Sequence, residues 1–228
     1  MCHARHLAPF VTDKVLSASP TKLTQPEHLK LEDSRSGTRV CIAQSDQHLC
    51  AASHLVEQRY GWRGYAAGAN LETEPTEQRA QMITLIAEHE NRAAGTLSVR
   101  FDSSQGLSVD QTFKAEVDAV RAKGGFACEF TRLAVAADTP SSAVLALLIR
   151  LAFLASRGLK AATDAVVEVN PRHERFYRRI LDFNVISSHR ICPRVQAPAV
   201  LLHLDLCGLE HSLKRLGHFY TNAMPIAA

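Results

Sequence analysis

Within ten residues, from Glu168 to Tyr177, the run Glu-Val-Asn-Pro-Arg-His-Glu-Arg-Phe-Tyr offers a carboxylate, a carboxamide, an imidazole and a phenol. Glu168 and Asn170 are spaced by two, so they share one face of a β-branched strand near its carboxyl end. Ligands of open α/β sheets bind at that end. The pair is either structural or aimed at a substrate. On the helix predicted next, His173, Tyr177 and Leu181 recur at i, i+4 and i+8, beside an apolar line of Phe176 and Ile180. A tyrosine so placed either packs on the core or takes part in catalysis. Arg172, Arg175, Arg178 and Arg179 cover the rest of this helix. Such a run is a solvated face, or a dock for an acidic partner or a phosphate.

A second stretch with chemical potential is Cys-Glu-Phe-Thr-Arg-Leu-Ala-Val, residues 128–135. Glu129 and Arg132 are charges in a strand otherwise fit for burial, and buried charges are costly unless paired. Their spacing of three puts them on opposite faces of a regular strand unless a bulge intervenes. They form structural ion pairs with neighbours, or they orient a substrate at a bulge. The loop after this strand, Ala-Ala-Asp-Thr-Pro-Ser-Ser-Ala, leads into a helix N-terminus. Free N–H groups converge there and suit a phosphate, with Ser141 and Ser142 adding hydroxyls. The loop has no glycine, so a bulky pyrophosphate finds poor backbone approach.

The elements that must position these groups follow from pattern. With 228 residues, 46% hydrophobic and 21% charged, the chain suits one soluble core with tails. A formal charge of +3 is too weak to argue for nucleic acid. Six cysteines without a C-x-x-C pair point to reduced, buried thiols in a cytoplasmic protein, with no metal site. The first residues carry no signal-like apolar region. The most apolar segment, 143–155, is interrupted by Arg150 and is too short to span a bilayer.

Residues 1–38 read as a partly mobile N-terminal arm, 39–207 as the core, and 208–228 as a C-terminal helix and tail. The core opens with the strand Thr-Arg-Val-Cys-Ile. A helix capped by Ser45 or Asp46 runs to about Tyr60, with Leu49, Ala52, Leu55 and Val56 inward. A hairpin spans Met82 to Asp102, turning at Asn91-Arg92. A helix capped by Thr112, with Phe113, Val117 and Val120 inward, stops at Gly124. The long strand with Glu129 comes next. A nearly all-apolar helix starts from Thr139 as cap and Pro140 as first residue. Strands at 165–170, 183–187 and 199–206 complete the sheet, and a last helix covers 209–220. Two strands joined by a long buried helix imply one parallel pair. The fold class is α/β: a mixed, mostly antiparallel sheet with one parallel pair and helices on both faces.

This element order, with Val-Asn-Pro-Arg-His-Glu-Arg-Phe-Tyr-Arg-Arg-Ile-Leu-Asp-Phe, resembles the GNAT acyltransferases, with Asp182 where their signature has glycine. The inserted helix, Glu129-x-Thr131-Arg132 and the segment Cys-Pro-Arg-Val-Gln-Ala-Pro-Ala-Val resemble a narrower branch, the long-chain N-acyl amino acid synthases, relatives of acyl-homoserine-lactone synthases. The resemblance implies transfer of a medium- or long-chain acyl group to the amine of an amino acid or similar small molecule. The donor it implies is acyl-phosphopantetheine on acyl-carrier protein, with acyl-CoA as the alternative and no resident cofactor. Tyr177 then protonates the leaving thiolate and Asn170 faces the pantetheine arm. Ser141, Ser142 and Ala143 replace the glycine-bearing phosphate loop. Arg172, Arg175, Arg178 and Arg179 meet the acidic carrier. Arg132, Thr131, Leu133, Ala134 and Val135 hold substrate, with backbone N–H groups of this strand facing the oxyanion and Arg132 facing an acceptor carboxylate. Glu129, Glu168 and His173 remain alternatives for the base. Three rival readings stay open: a homoserine-lactone synthase, a CoA-dependent GNAT enzyme, and a non-catalytic acyl-binding domain.

Overall fold

A computed structural model describes residues 29–61 and 80–208. Strand β1 (Lys30–Asp33) and β2 (Thr38–Ile42) form a hairpin, followed by helix α1 (Asp46–Gly61). Strands β3 (Met82–His89) and β4 (Arg92–Phe101) lead to α2 (Asp110–Arg121), then β5 (Ala127–Val135) and α3 (Ser141–Lys160). Strand β6 (Asp164–Val169) leads through a 3₁₀ turn (Pro171–His173) to α4 (Glu174–Ile180). Strands β7 (Asn184–Val185), β8 (Arg190–Cys192) and β9 (Ala197–Asp205) finish the described fold. The sheet order is β1-β2-β3-β4-β5-β6-β9-β7, with β8 paired to β9. Among these neighbours only β5 and β6 are parallel.

The alternation of residue types decides which face each strand buries. Ala165, Val167 and Val169 of β6 join the core under α3, together with Phe130, Tyr177 and Phe183. Val166 lies on the opposite face, in a second core with Ala127, Leu201 and the α2 residues Phe113 and Val117. Helix α1 covers that same face further along, where Ala52, Leu55 and Val56 meet Ile86 and Ala134. Helices therefore cover both faces. The approach of α3 depends on Gly95: a Cβ there would sit 2.6 Å from Val144 Cγ1. That distance is a clash, so β4 has no side chain at this point.

Several expectations are corrected. The arm assigned to residues 1–38 ends earlier, because Lys30–Asp33 pairs with β2 and buries Leu29 and Leu31. Its four residues alternate, but surrounding polar residues hid so short a period. The hairpin turns at Glu90 and Asn91, both at positive φ, one residue before the Asn-Arg expected. Helix α2 is capped at Val109 rather than Thr112. Pro140, not Thr139, is the N-cap of α3, and the Thr139 hydroxyl donates to Ala136 O at 3.0 Å. Helix α3 extends over 20 residues, long and apolar enough by length and composition to cross a membrane. It is instead packed on the sheet, with Leu148, Leu151 and Phe153 fully buried. Cys128 and Cys192 are buried as expected, whereas Cys50 and Cys207 are exposed. Ser45 does cap α1, its hydroxyl accepting from His48 N at 3.2 Å. The helix expected at 209–220 lies outside the described residues.

Candidate active site

The parallel pair creates the cavity. β5 and β6 keep register only at Ala127–Asp164, Cys128–Ala165 and Glu129–Val166, although both strands run on. The cause lies on the other edge of β5. Ser98 faces Thr131 and Thr96 faces Ala134, so Arg132 and Leu133 together oppose Leu97. This is a β-bulge, and Arg132 adopts φ 56 within it. A bulge bends its strand and increases local twist. Here it bends β5 while β6 continues beside β9. The two strands part into a cleft of about 590 Å³. Residues 130–137 line one wall and Val167 to Asn170 the other.

The cleft gathers many of the groups singled out above. Glu168, Asn170, His173, Tyr177, Thr131, Arg132, Leu133, Ala134, Val135, Ser141 and Arg172 all line it. Tyr177 is 7% exposed, and its ring packs edge-on against Phe176 and Phe183, with centroids 5.5 and 5.6 Å away. The aromatic cluster fixes the ring, so the phenol is a rigid element of the wall. Burial, and secondarily the neighbouring Tyr60, push its pKa above the ordinary value, so it stays protonated at neutral pH. Leu181 leads into Asp182, whose φ of 60 explains why a glycine suits this position.

The candidate bases separate physically. Glu129 does not line the cleft. It is 1% exposed, and its Oε2 accepts from Ser108 N at 2.6 Å and Val109 N at 3.4 Å. It joins the α2 approach to β5, so the expectation that it acts as base is corrected. Burial raises its pKa, against the pull of Arg194 and Arg100. His173 is reached by Arg172 Nε, 3.2 Å from its Nε2. A guanidinium only donates, so Nε2 is the accepting nitrogen and its lone pair is engaged. Glu168 lines the cleft with a side chain 8% exposed, and its Oε2 accepts from Arg194 Nη2 at 2.7 Å.

Other expected residues take different places. The Asn170 side chain caps the 3₁₀ turn, accepting from Arg172 N at 3.2 Å. At the α3 N-terminus the Ser141 hydroxyl donates to Thr139 O at 3.2 Å. Ala143 is fully buried and its N–H donates to Pro140 O at 2.9 Å, so it does not serve a phosphate. Ser142, half-buried, lies outside the cleft wall with Ala143. Arg172, Arg175, Arg178 and Arg179 are exposed, and Arg178 already pairs with Glu174 at 3.1 Å.

The structure adds residues that pattern did not single out. Arg59 and Tyr60, at the end of α1, line the cleft. Their segment signalled only a helix end. Arg194 sits in a turn without periodicity, and although its segment carries part of the family resemblance, nothing there gave this residue a role. Met82 Sδ is 3.5 Å from Arg132 Nη1 and 3.8 Å from Arg100 Nη2, so Arg132 is anchored to β3 by a soft acceptor.

The family model described as N-acyl amino acid synthase FeeM matches residues 51–205. The solved structure of FeeM, an N-acyl amino acid synthase from uncultured soil microbes, superposes with a TM-score of 0.68 at 22% identity. That match covers 79% of this chain and 97% of the other. The AHL synthase LasI superposes at 0.56, with 18% identity over 75% of this chain and 91% of its own. A GNAT-family protein from Desulfovibrio desulfuricans gives 0.52 and 14%, over 74% and 99%. These structures share the fold. No curated protein matches the chain.

Proposed function

Because the chain belongs to the N-acyl amino acid synthase FeeM family, and is therefore an acyltransferase of the GNAT fold, we propose that it moves a medium- or long-chain acyl group from acyl-carrier protein to the amine of an amino acid or similar small molecule. The observation that carries this reading is the parting of β5 from β6 beyond Glu129 and Val166, which opens one cleft. Its α3 side is apolar, with Phe130, Leu145, Val167 and Phe176 suited to an acyl chain. Arg132 and Glu168 supply a cation and a carboxylate for an acceptor that carries both charges.

The chemistry assigns one role to each group. The acceptor enters as an ammonium and gives a proton towards Glu168, directly or through water. Its amine attacks the thioester carbon, and the carbonyl oxygen becomes an oxyanion facing backbone N–H groups of the bulged strand, among Arg132, Leu133, Ala134 and Val135. As the C–N bond is kept and the C–S bond breaks, Tyr177 gives its proton to the thiolate. The proton lost from nitrogen restores the phenol. The products are an amide, a thiol and one proton released to water. No enzyme nucleophile is required, and Thr131 is assigned to the substrate wall beside Arg132.

Carrier-bound donor is favoured over acyl-CoA by the α3 N-terminus. Its loop has no glycine, and of the three residues offered there for a phosphate only Ser141 reaches the cleft wall. One phosphodiester needs less space there than a pyrophosphate with a nucleotide. The exposed arginines Arg175, Arg178 and Arg179 belong to α4, whose Phe176 and Tyr177 line the cleft, and they suit an acidic carrier. Complementary charge mainly speeds encounter, and salt screens it. The specificity constant for acyl-carrier protein is therefore expected to exceed that for acyl-CoA of equal chain length. The difference is expected to shrink as salt rises. Charge reversal of Arg175 and Arg179 together is expected to weaken carrier use more than CoA use. Equal or better use of acyl-CoA at every ionic strength would replace the carrier with CoA as donor.

A further inference from the structure

Strands β8 and β9 form a hairpin that the sequence pattern did not reveal, with Cys192 opposite Ala197. Between them Gln196 adopts φ 50, and its side-chain amide donates to Pro193 O at 2.8 Å. The turn that carries Arg194 is thereby fixed. The start of the hairpin is fixed as well. Arg190 donates to Thr112 O at 2.9 Å and to Glu116 Oε2 at 3.0 Å, and its guanidinium lies 5.0 Å above the Phe113 ring. The hairpin is clamped to α2 at one end and delivers a cation at the other. That cation meets Glu168 at 2.7 Å. The buried Glu129 is a second carboxylate that interacts electrostatically with Arg194.

An ion pair this enclosed is not a cheap source of stability, because both ions lose water. Its geometry suggests another use. Glu168 stands at the wall of the cleft, and Arg194 approaches its carboxylate from outside the lining. We propose that Arg194 is a positioning residue. It holds Glu168 by Oε2 and so presents Oε1 to the acceptor's amine. Helix α2 and the β8–β9 hairpin act together as the frame for this contact. The inference rests on the acyl-transfer reading above and adds the residue through which its acceptor-side carboxylate is aimed.

The test is a double-mutant cycle on acceptor kinetics at saturating acyl donor, using Glu168→Gln, Arg194→Gln and the double variant, with Tm measured for each. Arg194→Gln is expected to lower kcat/KM for the acceptor about ten- to a hundredfold, the scale of a misplaced reacting group, while the donor KM stays unchanged. Glu168→Gln is expected to lower it about a hundredfold or more. The double variant is expected to match Glu168→Gln, because Arg194 acts only through that carboxylate. Losses that multiply in the double variant, or unchanged kinetics in Arg194→Gln, would overturn the proposal. If Arg194→Gln fails to fold, Arg194→Lys decides. Lysine keeps the charge without the planar fork, so about a tenfold loss of acceptor kcat/KM at the wild-type Tm is expected, and wild-type kinetics would overturn it. A wild-type protein that forms no amide with any amine would overturn the acyl-transfer reading and this inference with it. An active wild type with multiplying losses overturns this inference alone.

Discussion

Replacing Tyr177 with phenylalanine is expected to lower turnover by about a hundred- to ten-thousandfold, the usual contribution of a positioned general acid. Acyl-donor binding is expected to stay nearly intact. Phenylalanine fills the same space between Phe176 and Phe183, so the ring contacts at 5.5 and 5.6 Å survive and only the proton is lost. Burial raises the pKa of the phenol, so its proton is present at neutral pH when the thiolate forms. Pre-steady-state kinetics with an acylated donor separate binding from chemistry. A folded variant that turns over within about twofold of wild type would reduce Tyr177 to packing.

The second large effect is expected at Arg132. Arg132→Met should raise the acceptor's KM about a hundredfold, within the range found when one partner of a buried charge pair is truncated. The effect on donor binding should be small. Arg132 is 8% exposed, stands on the bulge at φ 56, and reaches towards Met82 on β3. A non-glycine residue at positive φ costs about 1–3 kcal/mol and persists where the surroundings enforce it. Methionine retains most of the side-chain volume and the same backbone strain, so the variant isolates the charge. An acceptor KM unchanged in the folded variant would remove Arg132 from acceptor binding. Comparison with an acceptor lacking its carboxylate adds a check, since that amine should be insensitive to the substitution.

Much of the frame was legible because its signals are periodic. The alternation in β6, the stripe of α2 at Phe113, Val117 and Val120, and the apolar α3 all specify which face is buried. Asn170, His173 and Tyr177 could be read as one site because a strand end and the first turns of a helix keep near neighbours in space. The bulge was foreseen only as a condition on Glu129 and Arg132. Its register is set by pairing with β4, which no local pattern records. That register separates the two charges: Arg132 lines the cleft, while Glu129 is drawn to the α2 approach. The role of Arg194 was illegible for the same reason. Its turn is short and aperiodic, and its meaning comes from a contact 26 residues away in sequence. The α3 N-terminus offers a phosphate less than its residue types imply, since helix formation itself uses the Ala143 N–H.

The most direct test of acyl transfer from carrier to amine is intact mass spectrometry of both substrates in one reaction. The protein is incubated with long-chain acyl-carrier protein and a mixture of amino acids. The expected result is loss of the acyl mass from the carrier, which keeps its phosphopantetheine thiol, matched by an N-acyl amino acid of the same chain length. A carrier that stays acylated, or that releases its chain as free acid with no amide formed, would contradict it.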